Sequence, residues 1–220
     1  IPGNTAEPEV WAELTKKVGG TYARSDGLRM SIRMAAVDTG YRTQDVYRWA
    51  KSQPPTRVIA IKGRDQQAVI VGQPSTAEIG QKGRKIRSGL KVWPIGVSVA
   101  KSELYGWLRR KARADGEELP TGWCHFPEYD EEFFRQLTAE TLTQKTNNRG
   151  FPKYVWEKTR DRNEALDTRI YARAALQMLG GDRWDERRWK VERENSITSD
   201  ARVDVRQDTP TIQRRPGKFL

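Results

Sequence analysis

The chain of 220 residues carries 40 Lys and Arg against 29 Asp and Glu, a formal net charge of +11. A surplus of that size points to a polyanionic partner such as nucleic acid. No apolar run is long enough to span a bilayer and no signal peptide opens the chain, so a membrane partner is not expected. A single Cys and a single His exclude an internal disulfide, a cysteine-rich zinc site and a histidine-built metal centre. No GxxxxGK[ST] loop is present, so ATP hydrolysis is not encoded in this segment.

In chain order, "AEPEVWAELTKKV" predicts a short helix with Trp11, Leu14 and Val18 on one face. "LRMSIRMAAVD" (28–38) alternates as a strand, with Leu28, Met30, Ile32, Met34, Ala36 and Asp38 pointing one way. "TQDVYRWAKS" predicts a helix closed by "QPP". "RVIAIKG" (57–63) predicts a strand that is apolar on both faces, as a buried parallel strand is. Residues 64–91 read as an insertion or hairpin, and its "GQKGRKIRSGLK" carries five positive charges and no negative one. "KVWPIGVSV" (91–99) predicts a third strand and "AKSELYGWLRRKARA" a basic helix. "YDEEFFRQLTAETLTQK" predicts another helix, "RGFPKYVWEK" an edge strand, and 163–179 a core-facing helix. Strands alternating with helices indicate an α/β fold around a central sheet. Residues 1–180 read as one domain, and 181–220, rich in charges of both signs, as a flexible tail.

Two carboxylates stand where solvation would not place them. Asp38 ends an apolar strand on the parity of larger apolar residues. Asp167 shares a helix stripe with Ile170, Tyr171, Ala174 and Met178. Such a pair meeting at a sheet edge can hold Mg²⁺ or Mn²⁺, hard ions that take oxygen ligands. Plainer readings stand beside it. Asp38 can cap the turn before Gly40. Asp167 can pair with Arg162, Arg169 or Arg173. Glu164 is either a further ligand or the N3 member of a capping box begun by Asp161. Lys62, Arg64, Lys101 and the stretch with Lys82, Arg84, Lys85 and Arg87 are candidate phosphate contacts, the alternative being solvated basic surface. His125, beside Cys124 in a loop, fits a structural or exposed role.

"RNEALDTRIYARAAL" closely resembles the signature RNEALD-x-x-x-YA-x-AAL of the GpA-type large terminase subunits of tailed bacteriophages. "IPGNTAEPEVWAEL", "AAVDTGYRTQDVY", "VIAIKGR", "VWPIGVSVAKSELYGWL" and "HFPEYDEEFFRQLTAE" match further blocks in the same order, over about residues 1–180. The resemblance implies an RNase H-like nuclease fold, a central mixed sheet flanked by helices. It implies a metal-dependent endonuclease that cuts concatemeric double-stranded DNA during packaging. Asp38 matches the central-strand acid and Asp167 the acid on the C-terminal helix, with Mg²⁺ or Mn²⁺ as cofactor. A first-strand acid is expected upstream of Ile1, and relatives often carry an acid where this chain has Ser98. The implied partners are double-stranded DNA, the small terminase subunit and the portal or prohead, in the host cytoplasm. The rival reading is a non-catalytic DNA-binding or portal-docking module on the same scaffold.

Overall fold

A computed structural model describes residues 3–23, 27–81, 84–111 and 118–196. Its centre is a four-stranded sheet in the order β3-β4-β6-β5, formed by β3 (Ala35–Asp38), β4 (Val58–Arg64), β5 (Ser75–Gln81) and β6 (Arg84–Gly96). β3, β4 and β6 run parallel, while β5 pairs antiparallel to β6, so the sheet is mixed. Two hairpins stand apart from it: β1 (Thr21–Ala23) with β2 (Arg29–Ser31), and β7 (Glu140–Thr146) with β8 (Pro152–Lys158). The mixed α/β architecture expected from the alternation of elements is the one observed.

Strand parity sorts the core into two layers. On one face, Ile59, Ile61 and Ile95 pack against α3 (Val97–Leu108) and α5 (Glu164–Met178) through Ala100, Leu104, Leu166, Ile170 and Ala174. On the other, Val58, Ala60 and Val92 pack against α1 (Pro8–Gly19) and α2 (Thr43–Ser52) through Val18, Trp49 and Ala50. We call these the front and back faces. The central strand β4 is buried on both sides, as its unbroken apolar run predicts. Gly96, where β6 passes into α3, lies against a neighbouring segment. A Cβ there would sit 2.3 Å from the Val69 carbonyl oxygen, and the Gly96 amide donates to Ile70 instead.

Four expectations need correction. The strand expected over 28–38 is two strands. Residues 21–23 offer a local antiparallel partner to 29–31, and the chain changes partner before β3 joins β4. The third strand is 84–96 rather than 91–99: the basic stretch extends it backwards by pairing with β5, and Val97–Val99 already open α3. The helix expected over "YDEEFFRQLTAETLTQK" stops early. α4 (Glu131–Leu137) is capped by Asp130, whose carboxylate accepts from the Phe133 amide at 2.9 Å, and the Thr-rich remainder is β7. Finally, the charged segment after Gly181 is not featureless. It carries α6 (Glu186–Ser196), tied back by Glu192, which is buried and receives Arg33 at 2.9 Å and Arg188. Residues 197–220 lie outside the described residues. Among the described residues no helix is long and apolar enough to cross a membrane.

Candidate active site

The parallel strands end together, and crevices beyond such carboxyl ends are where open α/β sheets bind ligands. β3 ends at Asp38 and β4 at Arg64, followed by Asp65. The end of β3 is clamped to β4 by Thr39. Thr39 is fully buried, and both its amide and its hydroxyl donate to the Ile61 carbonyl, at 2.9 and 2.8 Å. Asp38 shares front-face parity with Met34 and Ala36, both packed into the front core. Its Oδ1 accepts from the Gly40 amide at 3.2 Å, so the turn-capping reading is realised. One oxygen of the carboxylate remains outside that bond.

α5 crosses the front face above this point. Leu166 and Ile170 anchor it in the core, and Asp167 lies half-buried between them in sequence. Burial raises the pKa of Asp167. Lys101 and Lys158 pull it down, while Glu140 and Asp38 push it up. Asp38 is thus near enough to Asp167 to add to that upward push, though less than Glu140 does. Of the arginines weighed as partners, Arg173 is bound to Glu103 and Asp182, and Arg162 meets Glu164. Among the described residues Asp167 has no ion pair.

One turn on, the Tyr171 hydroxyl rests on β4 at Gly63, where a Cβ would lie 3.1 Å from it. Burial raises the tyrosine's pKa strongly, and Asp38, Asp167 and Asp65 raise it further. Tyr171 therefore stays protonated at neutral pH. Among the described residues, no group of three or more His, Cys, Asp or Glu is placed to hold a metal ion. The site so far is a carboxylate pair, Asp38 and Asp167, with Asp65 further out.

Behind Asp167 lies a buried polar network. Lys101, 8% exposed, meets Glu140, 5% exposed, at 2.6 Å. The second Glu140 oxygen accepts from the Asn163 amide at 3.0 Å, and the Asn163 side-chain oxygen accepts from Lys158 at 2.9 Å. The Tyr105 hydroxyl donates to the Glu140 carbonyl at 2.6 Å. Both Glu140 oxygens are thus occupied, which is what a buried ion pair requires. Asn163 is the residue before α5, but its side chain serves this network and makes no capping bond.

The other residues singled out in the sequence fall as follows. Lys101 is held in the network and is not an exposed phosphate contact, because its ammonium is directed inward to Glu140. Glu164 is exposed, 3.4 Å from Arg162, and is the first helical residue, so the Asp161 capping box does not form. Lys62 and Arg64 point to the back face. There they line a groove of about 710 Å³ with Thr43, Gln44, Tyr47 and Gln73. Arg84, Lys85 and Arg87 lie in β6, paired in register with Gln81, Gly80 and Glu78. Lys82 lies outside the described residues, as do the side-chain placements of the other three. His125 is exposed, and Cys124 packs at the edge of the front core. Sequence reasoning missed Tyr171, Asp65 and the Lys101–Glu140–Asn163–Lys158 network. Tyr171 was legible as the i+4 neighbour of Asp167. Glu140 was hidden because its strand read as helix.

The model of the endonuclease domain of terminase large subunit gpA matches residues 1–189. The chain is 33% identical over 189 residues to the terminase large subunit of Escherichia phage lambda. It is 30% identical over 191 residues to that of Enterobacteria phage P21. Each match covers 84% of this chain but 28% of the relative, so the chain spans little more than a quarter of the length of either. No solved structure matches it. On the extent of the family match, this chain belongs to the endonuclease-domain family of the gpA terminase large subunits.

Proposed function

We propose that this chain is the metal-dependent endonuclease portion of a phage DNA-packaging terminase, on an RNase H-like scaffold. In this reading it cuts concatemeric double-stranded DNA in the host cytoplasm. The observation that carries the proposal is Asp167: a half-buried carboxylate without an ion pair among the described residues, raised in pKa by burial and further by Asp38 at the strand end. A buried charge in that state is costly unless something compensates it. Hard oxygen donors outside any ion pair among the described residues suit Mg²⁺ or Mn²⁺. A divalent ion held by Asp38 and Asp167 would supply a polarised water and stabilise charge on the scissile phosphate.

The remaining roles belong to the chain. Tyr171 stays protonated, leaving its hydroxyl able to donate to a ligand beside Gly63. Lys101 and Lys158 hold positive potential behind Asp167, favouring its ionised form and an approaching phosphate. Lys62, Arg64 and the stretch Lys82, Arg84, Lys85 and Arg87 supply charge for the DNA backbone. The small terminase subunit and the portal or prohead are the partners of the whole protein in this reading. A non-catalytic DNA-binding module is the second reading, favoured by the absence of a third clustered acid among the described residues.

Nicking of supercoiled plasmid in Mn²⁺ tests the choice. Cutting that disappears in both Asp38→Asn and Asp167→Asn, with DNA binding kept, supports the nuclease. Cutting that survives both substitutions overturns the Asp38/Asp167 site, and no cutting by the parent chain in Mn²⁺ or Mg²⁺ overturns the nuclease in favour of the binding module.

A further inference from the structure

The β7–β8 hairpin stands outside the central sheet, and its distal part is exposed along both strands. Its tip is nevertheless rigidly built. The Asn147 side-chain oxygen accepts from the amides of Arg149 and Phe151 at 2.9 and 3.0 Å. Its backbone amide donates to the Phe151 carbonyl at 2.8 Å, and its carbonyl receives the Gly150 amide at 3.0 Å. Gly150 takes a φ of 81°, a conformation that glycine adopts without strain. This ordered turn presents Phe151 at 64% exposure, and Tyr154, also 64% exposed, follows on β8. Two large aromatics on a pre-organised tip are thus left mostly in water.

The charges on the distal part of the arm have one sign. From Leu142 to Trp156 the chain carries Lys145, Arg149 and Lys153 and no acid. Lys145 and Lys153 sit directly opposite in the strand register, a like-charge pair that destabilises a hairpin standing alone. Glu157 offsets Lys145. Lys153 has no acidic partner among the described residues. It lines a groove of about 470 Å³ with Arg64, Asp65 and Gln67, at the carboxyl end of β4. The base of the arm is fixed beside the candidate site by Glu140 and Lys158, both of which act on Asp167.

We propose that the β7–β8 hairpin is a DNA-engaging arm, in which Lys145, Arg149 and Lys153 bind backbone phosphates while Phe151 and Tyr154 contact sugar and base surfaces. A polyanion answers the unbalanced lysines, and nucleic acid is the polyanion whose flat apolar rings also match exposed aromatics. DNA lying across the carboxyl end of the sheet meets the arm and the Asp38/Asp167 pair together. The inference rests on the reading of this chain as a DNA-cutting domain, and it concerns holding the DNA rather than cutting it.

Binding of a fluorescent duplex in EDTA, followed by anisotropy across a salt series, separates the two. Phe151→Ala should weaken binding roughly tenfold at every salt concentration and leave the salt slope unchanged, since stacking releases no counterions. Phe151→Leu should recover only part of the loss. Lys153→Ala should lower the salt slope by about one, the signature of one lost phosphate contact. Both positions are exposed, so melting temperatures should match the parent. Parent-like affinity and slope in Phe151→Ala and Lys153→Ala would overturn the arm, whatever happens to cutting, and would leave its surface to a protein partner. Loss of cutting control by Asp38 and Asp167 with the arm's effects intact would overturn the nuclease reading alone.

Discussion

On the back face, α1 and α2 meet the sheet through Val18, Trp49 and Ala50. Trp11 and Trp49 lie 5.7 Å apart, and the Trp49 indole donates to the Thr15 hydroxyl at 2.9 Å. On the front face an equally apolar layer gives way, toward the strand ends, to Asp38, Asp167, Tyr171, Lys101, Glu140, Asn163 and Lys158. The same strands feed both layers, since adjacent residues alternate between them. The back-face core is closed by helices whose buried positions are apolar, and the polar groove of Lys62 and Arg64 lies beyond it. The front face tolerates charge because Glu140 arrives from outside the sheet with both oxygens engaged, leaving Asp38 and Asp167 as the carboxylates of the group without an ion pair among the described residues. A fold that serves only stability would resemble the back face throughout. The difference therefore marks where function departs from packing.

Breaking the Lys101–Glu140 pair should produce the largest effect. Lys101→Ala leaves Glu140 buried and uncompensated and should cost about 3–5 kcal/mol in urea denaturation. Lys101→Met combined with Glu140→Gln removes both charges, keeps an acceptor for Asn163, and should recover more than half of that loss. On the back face, Thr15→Val removes the acceptor of the Trp49 indole, together with the hydroxyl's exposed bond to the Trp11 carbonyl, and should cost about 1 kcal/mol. Equal losses at the two places would mean that the front network is ordinary packing.

How much of this was legible in the sequence follows from the same contrast. The back face was readable because apolar periodicity is a local signal: Trp11, Leu14 and Val18 repeat on one helix face, and β4 is apolar at consecutive positions. Asp38 and Asp167 stood out for the same reason, as charges breaking local patterns. The network did not. Glu140 lies 39 positions from Lys101 and 23 from Asn163, and nothing near any of the three announces the others. The turn from helix to strand after Leu137 was missed because "EEFFRQL" is a strong helix start, whereas the pairing that makes 140–146 a strand lies in residues 152–158. Lys101 was misplaced on an exposed basic face because charge alone does not say which lysine of a helix finds a buried acid.

A middle-sized effect should come from Asp167 itself. Its folded pKa lies above the ordinary carboxylate value of 3.8. Below that value both folded and unfolded states are protonated and Asp167 costs nothing. As pH rises through the raised pKa the folded state must ionise against burial, so stability is lost as pH rises and stays reduced at neutrality. Asp167→Asn should therefore raise the melting temperature near neutral pH and leave it unchanged at strongly acid pH. The rise should be about 2–4 °C for a cost of the order of 1 kcal/mol, allowing for partial solvent screening. Mn²⁺ should raise the melting temperature of the parent chain and of neither Asp38→Asn nor Asp167→Asn, because it relieves the repulsion that only the carboxylate pair carries. Asp167→Asn that destabilises the chain at neutral pH would show that Lys101 and Lys158 already compensate the charge.

The smallest effect belongs to Glu164, three residues from Asp167 on the same helix. The two carboxylates share the RNEALD block, yet one is half-buried without an ion pair and the other exposed beside Arg162. Exposed pairs of that kind contribute about 0–1 kcal/mol, since solvent screens them and both side chains give up freedom to meet. At the first helical position Glu164 also gains a few tenths of a kcal/mol, roughly, from the helix dipole. Glu164→Gln should accordingly lower stability by no more than about 0.5 kcal/mol and leave the Mn²⁺-induced rise in melting temperature intact. Plasmid nicking should likewise be unchanged. If the metal response vanished in Glu164→Gln as it does in Asp167→Asn, the Glu164 side chain would have to swing from Arg162 into the crevice when the ion binds, and the front face would hold three ligands rather than two.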